Sequence, residues 1–294
     1  MGAGITYVEL NSVSLNFSKV IVVDNKKISL FVFFLMVFLG LPASAAELNA
    51  NQIVEQCGYK YPGDDQRSTF TVKLIDKQGL EKKRVYVRLW RDFKGEKGVA
   101  DKMLLFTEYP PKEKDFGFMR VAFIPEKNKV PDQTIYMPQA KRIRQVTVRD
   151  KGDNFLESDL THADVSGRSV GDDEHRLLGI KTRDHADYYV VESLPKEKEP
   201  LYSKRIQWFK KTAVAEDCAV SFIEYYDKHG DLLKEQGLTW QQVNGAWVWD
   251  HVTVRNVQRN HTSEFIVSDV QINIGIKDRI FSERTLKKGL SSIR

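Results

Sequence analysis

QTIYMPQAKRIRQVTVRDKGDNFLESDLTHADV, residues 133–165, decides how the rest of the chain is read. It opens with a short extended run that ends at Met137-Pro138. Lys141, Arg142 and Arg144 then alternate with Ile143, Val146 and Val148, and the chain turns at Asp150-Lys151-Gly152-Asp153. A second extended run is expected to carry Phe155, Leu160 and the polar pair Ser158-Asp159. Alternation of basic and apolar residues is the period-2 signature of a half-buried strand, with cations on one face and aliphatic groups on the other. The stretch therefore announces a β protein whose sheet turns one face to water and one to an apolar interior.

Outward from this stretch, further extended segments follow one another with turn residues between them. Ser68–Asp76 pairs across Lys77-Gln78-Gly79 with Lys82–Arg91, and Lys102–Tyr109, Phe116–Pro125 and Thr134–Met137 follow. Downstream come Arg176–Arg183, Tyr188–Leu194, Leu201–Lys210, Ala219–Tyr226, Leu232–Gln241, Trp247–Asn256 and Thr262–Ile274. Asn244-Gly245 is the strongest two-residue hairpin signal in the chain. Helical spacing is confined to Asn49–Cys57, with Asn49 as its cap, and Asp278–Lys288, ended by Gly289. Consecutive strands without long helices between them exclude an α/β enzyme fold. The charge on strands such as Lys82–Arg91 argues against a membrane barrel.

The beginning of the chain reads as a targeting segment. Lys26-Lys27 precede the apolar run Ile28–Leu41, and Ala43-Ser44-Ala45 fits a small-residue cleavage site. At about 14 residues the run falls short of the roughly 20 that a helix needs to span a bilayer. Residues 1–46 are thus expected to be a removed N-terminal extension and signal peptide, and 47–294 a single domain exported to the periplasm as a soluble form. The full chain carries a formal charge of +5. Loss of Lys19, Lys26, Lys27, Glu9 and Asp24 leaves +4 with the signs interspersed, which gives no footprint for nucleic acid. Cys57 and Cys218 are the two cysteines; in an oxidising compartment they either form a disulfide or remain two buried thiols.

Candidate chemistry is sparse. Gly167-Arg168-Ser169-Val170-Gly171 matches the nucleophile-elbow pattern, but the required strand before it and helix after it are missing. The six histidines show no ligand spacing, Asp172-Asp173-Glu174 lacks the oxygen spacing of a calcium loop, and two isolated cysteines do not make a zinc site. No enzyme, cofactor or metal is expected. The aromatic residues say more, because they recur on nearly every strand. Trp90, Phe106, Phe118, Tyr136, Phe155, Trp208, Phe222 and Trp240 are expected to line one hydrophobic cavity, with Arg142 and Arg144 at its rim, where their guanidinium forks suit a lipid phosphate or an acidic partner.

The order Tyr136-Met137-Pro138, Lys141-Arg142-Ile143-Arg144, Asn154-Phe155, Ser158-Asp159-Leu160 and Asp164 resembles the outer-membrane lipoprotein-sorting, or LolA-like, family. The likeness runs on through Gln207-Trp208-Phe209, Glu224-Tyr225-Tyr226-Asp227-Lys228-His229-Gly230, Trp240 and Phe281-Ser282-Glu283-Arg284-Thr285-Leu286. It implies a mainly β fold: a curved antiparallel sheet forming an incomplete half-barrel, closed by short helices around a hydrophobic cavity. Lids are then expected at 49–57, 110–115, 164–171 and 278–288. It also implies a carrier for lipid or lipoprotein acyl chains, with transient membrane contact and an inner-membrane RND-type transporter as partner. The alternative within the same fold is a sensor module, similar to envelope-stress regulators, that acts on a membrane protein.

Overall fold

The computed structural model describes residues 48–127, 129–146, 152–214 and 217–293. The expected signal segment, and Val148, Asp150 and Lys151 of the opening stretch, lie outside the described residues. Thirteen strands form one antiparallel sheet: β1 (Asp65–Ile75), β2 (Glu81–Asp92), β3 (Val99–Tyr109), β4 (Gly117–Phe123), β5 (Asp132–Met137), β6 (Arg142–Val146), β7 (Asp173–Arg183), β8 (Ala186–Pro195), β9 (Lys204–Lys210), β10 (Ala219–Tyr226), β11 (Leu232–Val243), β12 (Ala246–Asn256) and β13 (His261–Ile272). Their spatial order is β6-β5-β4-β3-β2-β1-β13-β12-β11-β10-β9-β8-β7. The chain enters at the centre of the sheet, meanders to one edge, crosses to the other, and meanders back until β13 pairs with β1. The curved sheet does not close, so β6 and β7 remain as edges. Among the described residues, no helix is long and apolar enough to cross a membrane.

Local chemistry fixes the ends of these elements. Asn244 and Gly245 take positive φ of 48° and 77°, as the expected two-residue turn between β11 and β12 requires. Helix α1 (Ala50–Gly58) begins with a capping box: Asn49 accepts from the Gln52 backbone N–H, and the Gln52 side chain accepts from that of Asn49. The expected C-terminal helix is divided. A 3-10 turn covers Asp278–Ile280, Phe281 is buried, and Ser282 then caps α2 (Glu283–Lys288). One other expectation fails. Phe155–Leu160 is not extended but folds into a tight turn, with Leu156 and Glu157 at φ of 53° and 63°. Ser158 is the cause: its hydroxyl donates to the Phe155 carbonyl and accepts from the Leu160 N–H, which closes the turn.

Alternation along the strands divides the apolar residues between two faces. Tyr86, Met103 and Leu105 join the main core, whereas Val87, Leu89, Leu104 and Phe106 join a second one on the opposite side. The main core is filled by α1, through Ile53 and Cys57, and by the β6–β7 connection, through Phe155 and Leu160. The second is covered by the C-terminal segment, through Ile276, Phe281, Leu286, Leu290 and Ile293. That segment is aimed by Asp65, whose carboxylate accepts the backbone N–H groups of Ile274, Gly275 and Ile276. At Gly117 any Cβ would lie 2.7 Å from a Leu286 methyl group, so α2 packs this close only because β4 offers bare backbone.

Cys57 and Cys218 form a disulfide that links the end of α1 to the start of β10 across 161 residues of sequence. Closing so long a loop constrains the unfolded chain strongly, and an intact bridge is worth about 2–4 kcal/mol. Replacing both cysteines by serine should lower the thermal midpoint by about 5–15 °C in scanning calorimetry. An unchanged midpoint would show that α1 is held by packing alone.

Candidate functional site

The β6–β7 connection is pinned into the sheet interior by a buried polar cluster. Lys234 projects inward from β11, 1% exposed, and its ammonium meets the Asp164 carboxylate at 2.5 Å and the Asp159 carbonyl at 2.7 Å. The rings of Tyr202 and Tyr225 lie 5.2 and 4.9 Å from the same ammonium. Tyr202 donates to Asp164, as do the Thr161 N–H and hydroxyl, and Tyr225 donates to Gln236. Burial, reinforced by the Asp164 charge, raises the ionisation of both tyrosines far above its ordinary range, so both remain donors. Asp159 plays its expected loop-fixing part with different partners. Instead of backbone N–H groups, its carboxylate receives Ser263 and His261 of β13, each at 2.6 Å.

Removing one member of a buried pair leaves an uncompensated charge. Lys234→Met alone and Asp164→Leu alone should each cost about 3–5 kcal/mol in denaturant unfolding, and the double variant clearly less than their sum.

A second clasp holds the outer side of the same connection. Lys82 and Arg84 of β2 both reach Glu157, at 2.8 and 3.1 Å, and Arg84 also binds Glu113 at 2.8 Å. Burial pushes the Glu157 carboxyl up, but hydrogen bonds from Lys82 and Arg84 outweigh it and hold the group below the ordinary carboxylate range. A depressed folded-state pKa stabilises above the unfolded value, and that contribution is lost as the pH falls through the folded one. Amide-exchange protection at 154–161, corrected for intrinsic rates, should therefore decline below about pH 4 in the native chain and start lower but flatter in Glu157→Gln.

An open groove of about 900 Å³ lies where β10 and β11 part. Their pairing runs only from Phe222–Gly237 to Tyr226–Leu232. Beyond it, 219–221 and 238–243 are no longer paired with each other, and the Trp240 indole N–H bridges to the Val220 carbonyl at 2.7 Å. Trp208 and Phe222 are cross-strand partners on the face opposite Phe209 and Ile223. Trp208 stands edge-on to Tyr188 and Phe222 at 6.1 and 6.4 Å, and Trp240 edge-on to Trp247 at 6.4 Å. Gly237 lies opposite Phe222, and a Cβ there would meet nothing within 4 Å, so the floor beside the rings is open. Cations approach the rings: Lys181 over Trp208, Arg183 over Phe222 and Lys60 over Trp247. Trp208 Nε1 and His251 Nε2 are buried in the wall without a hydrogen-bond partner among the described residues.

The eight aromatic residues expected in one cavity are therefore distributed over three places. Trp208, Phe222 and Trp240 share the groove, and Trp240 also packs against the main core. Trp90, Phe118 and Phe155 belong to the main core, filled by α1 and the connection, whereas Phe106 and Tyr136 belong to the second core under the C-terminal segment. Strand alternation is the reason: Phe106 follows Leu105 and so must face the other way. Tyr188 and Trp247 complete the groove although the sequence reading did not select them. The Asn244-Gly245 turn carried the signal, because it sets Gln242 against Trp247 and so brings Trp247 beside Trp240.

Arg142 and Arg144 are exposed on edge strand β6, far in strand order from the groove, and form no ion pair among the described residues. The cations in the groove lining are Arg183, Lys210 and Arg255 instead. Ser169 caps the 3-10 turn Val170–Asp172 in a reciprocal arrangement with Asp172, and no elbow forms around it. Among the described residues, no three His, Cys, Asp or Glu side chains are placed to hold a metal.

Residues 99–288 match a family model described as "Uncharacterized protein". No curated protein matches the sequence. Among solved structures, the chain is similar to a domain described as outer membrane lipoprotein-sorting from Vibrio parahaemolyticus, with a TM-score of 0.67 and 22% identity over 81% of this chain and 98% of that one. It is also similar to a DUF1329 family protein from Desulfovibrio piger, with a TM-score of 0.66 and 21% identity over 76% and 92% of the two chains. A LolA superfamily protein from Nitrosomonas europaea gives 0.58 and 17% over 81% and 99%.

Proposed function

The chain belongs to the family matched over residues 99–288 and has the open-sheet fold of outer membrane lipoprotein-sorting and LolA superfamily structures, and from that footing we propose that it is a periplasmic carrier of acyl lipid. Residues 1–46 then serve as the exported leader and 47–294 as the carrier domain. The groove between β10 and β11 receives a lipid or the acyl part of a lipoprotein, and passes it toward the outer membrane. An inner-membrane RND-type transporter fits this role as the partner that loads it.

The observation that carries the reading is the groove itself. Its aromatic walls, open floor at Gly237 and cationic edge match an amphiphile with an apolar chain and an anionic head. Each methylene removed from water contributes about 0.8 kcal/mol, so ten partly enclosed carbons supply several kcal/mol. This driving force is non-directional. A chain held this way can be released to an acceptor without bond cleavage.

Phospholipid carrying a brominated acyl chain should quench the fluorescence of Trp208, Trp240 and Trp247 saturably when added to the exported chain. Gly237→Leu, which fills the floor without demanding a strained backbone, should weaken that binding at least tenfold, as should Trp208→Ala combined with Phe222→Ala. Ser169→Ala should leave it unchanged. Quenching that does not saturate, or that ignores Gly237→Leu, would contradict the assignment of the groove.

A further inference from the structure

Arg88 carries a charge into the main-core side of the sheet with no counter-ion against it. It stands in the middle of β2, on the face that Tyr86 and Trp90 turn toward that core. Its Nη1 donates to the Gln66 side chain at 2.6 Å, and its guanidinium lies 5.9 Å from the Trp90 ring. Gln66 is neutral, and its amide nitrogen is itself tied to the Pro62 carbonyl. Among the described residues Arg88 forms no ion pair and no second hydrogen bond. Burial pushes the guanidinium down to about 10, with the Asp101 charge opposing the shift and that of Arg120 adding to it, so the group stays charged at neutral pH. A guanidinium presents five N–H donors in a rigid fork, and most of them are left to be used here.

Across the ladder from Arg88 is Ser68 of β1, 2% exposed, whose hydroxyl has no hydrogen-bond partner among the described residues. Directly opposed side chains on neighbouring strands start about 4.5–5.5 Å apart, which brings an acceptor gripped by Arg88 within reach of that hydroxyl. On the other side Arg88 pairs with Leu105 of β3, and the next row on the same face sets Met103 against Arg120 of β4. Arg120 is engaged by Asp101 at 3.0 Å. Asp92, next on this face of β2, accepts the Lys94 N–H at the strand end, and Asp153 of the connection is exposed and acts on His162. Two arginines thus share the Asp101 carboxylate, which leaves one net positive charge. The walls around that charge are apolar, for Trp90, Met103, Leu105 and Phe118 all pack with the main core. Arg88, Trp90, Phe118 and Arg120 are each only half-buried, so the place is open to a small solute.

We propose that Arg88, with Ser68 beside it, binds the carboxylate of a small apolar organic acid whose stem rests against Trp90 and Phe118. One net charge calls for a single anionic group, and the guanidinium fork receives a carboxylate through two parallel hydrogen bonds. An unpaired charge in these surroundings is costly, and the ligand offsets that cost. The site lies on the face of the sheet opposite the aromatic groove, so it stands or falls independently of the carrier reading.

The test is calorimetric titration of octanoate, kept below its micelle-forming concentration, into the exported chain carrying Gly237→Leu, so that the groove does not take up the probe. Saturable binding at one site per chain is expected. Octanol, which has the same stem and no charge, should bind at least about tenfold more weakly, and so should inorganic phosphate, which has no stem. Arg88→Met in the same background should lower the octanoate affinity at least about tenfold. Arg88→Lys keeps the charge and loses the fork, and should lower it at least about threefold. Octanoate should also raise the thermal midpoint of the parent chain and leave that of Arg88→Met where it was. If Arg88→Met does not fold, Arg88→Lys and the octanol comparison decide. The absence of saturable octanoate binding, an affinity unchanged in the Arg88 variants, or equal binding of octanol or phosphate would overturn the site.

Discussion

A single buried ammonium organises the interior of this protein. Lys234 stands where the apolar face of β11 would otherwise continue, and the cost of burying it is offset only because Asp164, the Asp159 carbonyl and two tyrosine rings converge on it. All four contacts come from outside the strand that carries the lysine. The β6–β7 connection must therefore enter the sheet interior and stay there, because withdrawing it would strand a buried charge without its carboxylate.

From that constraint the rest of the architecture follows. A sheet that opens at both edges has an apolar face with no second sheet to cover it, and α1 and the connection divide the task between them. The disulfide holds α1 at β10, and the Lys82, Arg84 and Glu157 clasp holds the turn of the connection at β2. With the interior filled, an aromatic groove opens where the ladder itself comes apart. That place is the end of β10 and β11, where Trp240 reaches across to Val220 and the aromatic groove opens beside Gly237. The groove is thus a consequence of strand divergence more than of an unfilled barrel.

Much of this fold was legible in the sequence, and the reasons are local. Alternating residues, the Asn244-Gly245 turn, the Asn49 cap and the Gly289 stop each report backbone geometry within a few residues, so strand succession and both helical segments could be read directly. The resemblance carried by Ser158-Asp159-Leu160 and Asp164 pointed at the right loop, because those residues are the ones that pin it. What escaped was anything that depends on which face of a strand is which. Phe106 and Phe118 read alike as aromatic strand residues, yet one lies beneath the C-terminal segment and the other against the main core. Lys234 gives no local signal of its role, because no pattern distinguishes a lysine facing a carboxylate 70 residues away from one facing water. Arg142 and Arg144 suit an anionic partner by their chemistry, but nothing local reports the sheet order that carries them to the far edge.

The central claim is that the groove beside Gly237 holds an acyl lipid in the native state. Native mass spectrometry of the chain recovered from cells without detergent tests it most directly. The account predicts a stoichiometric adduct whose extracted mass is that of an acyl lipid or lipopeptide, absent from Gly237→Leu prepared in the same way. A chain that emerges empty, or an adduct that Gly237→Leu retains in full, would contradict it.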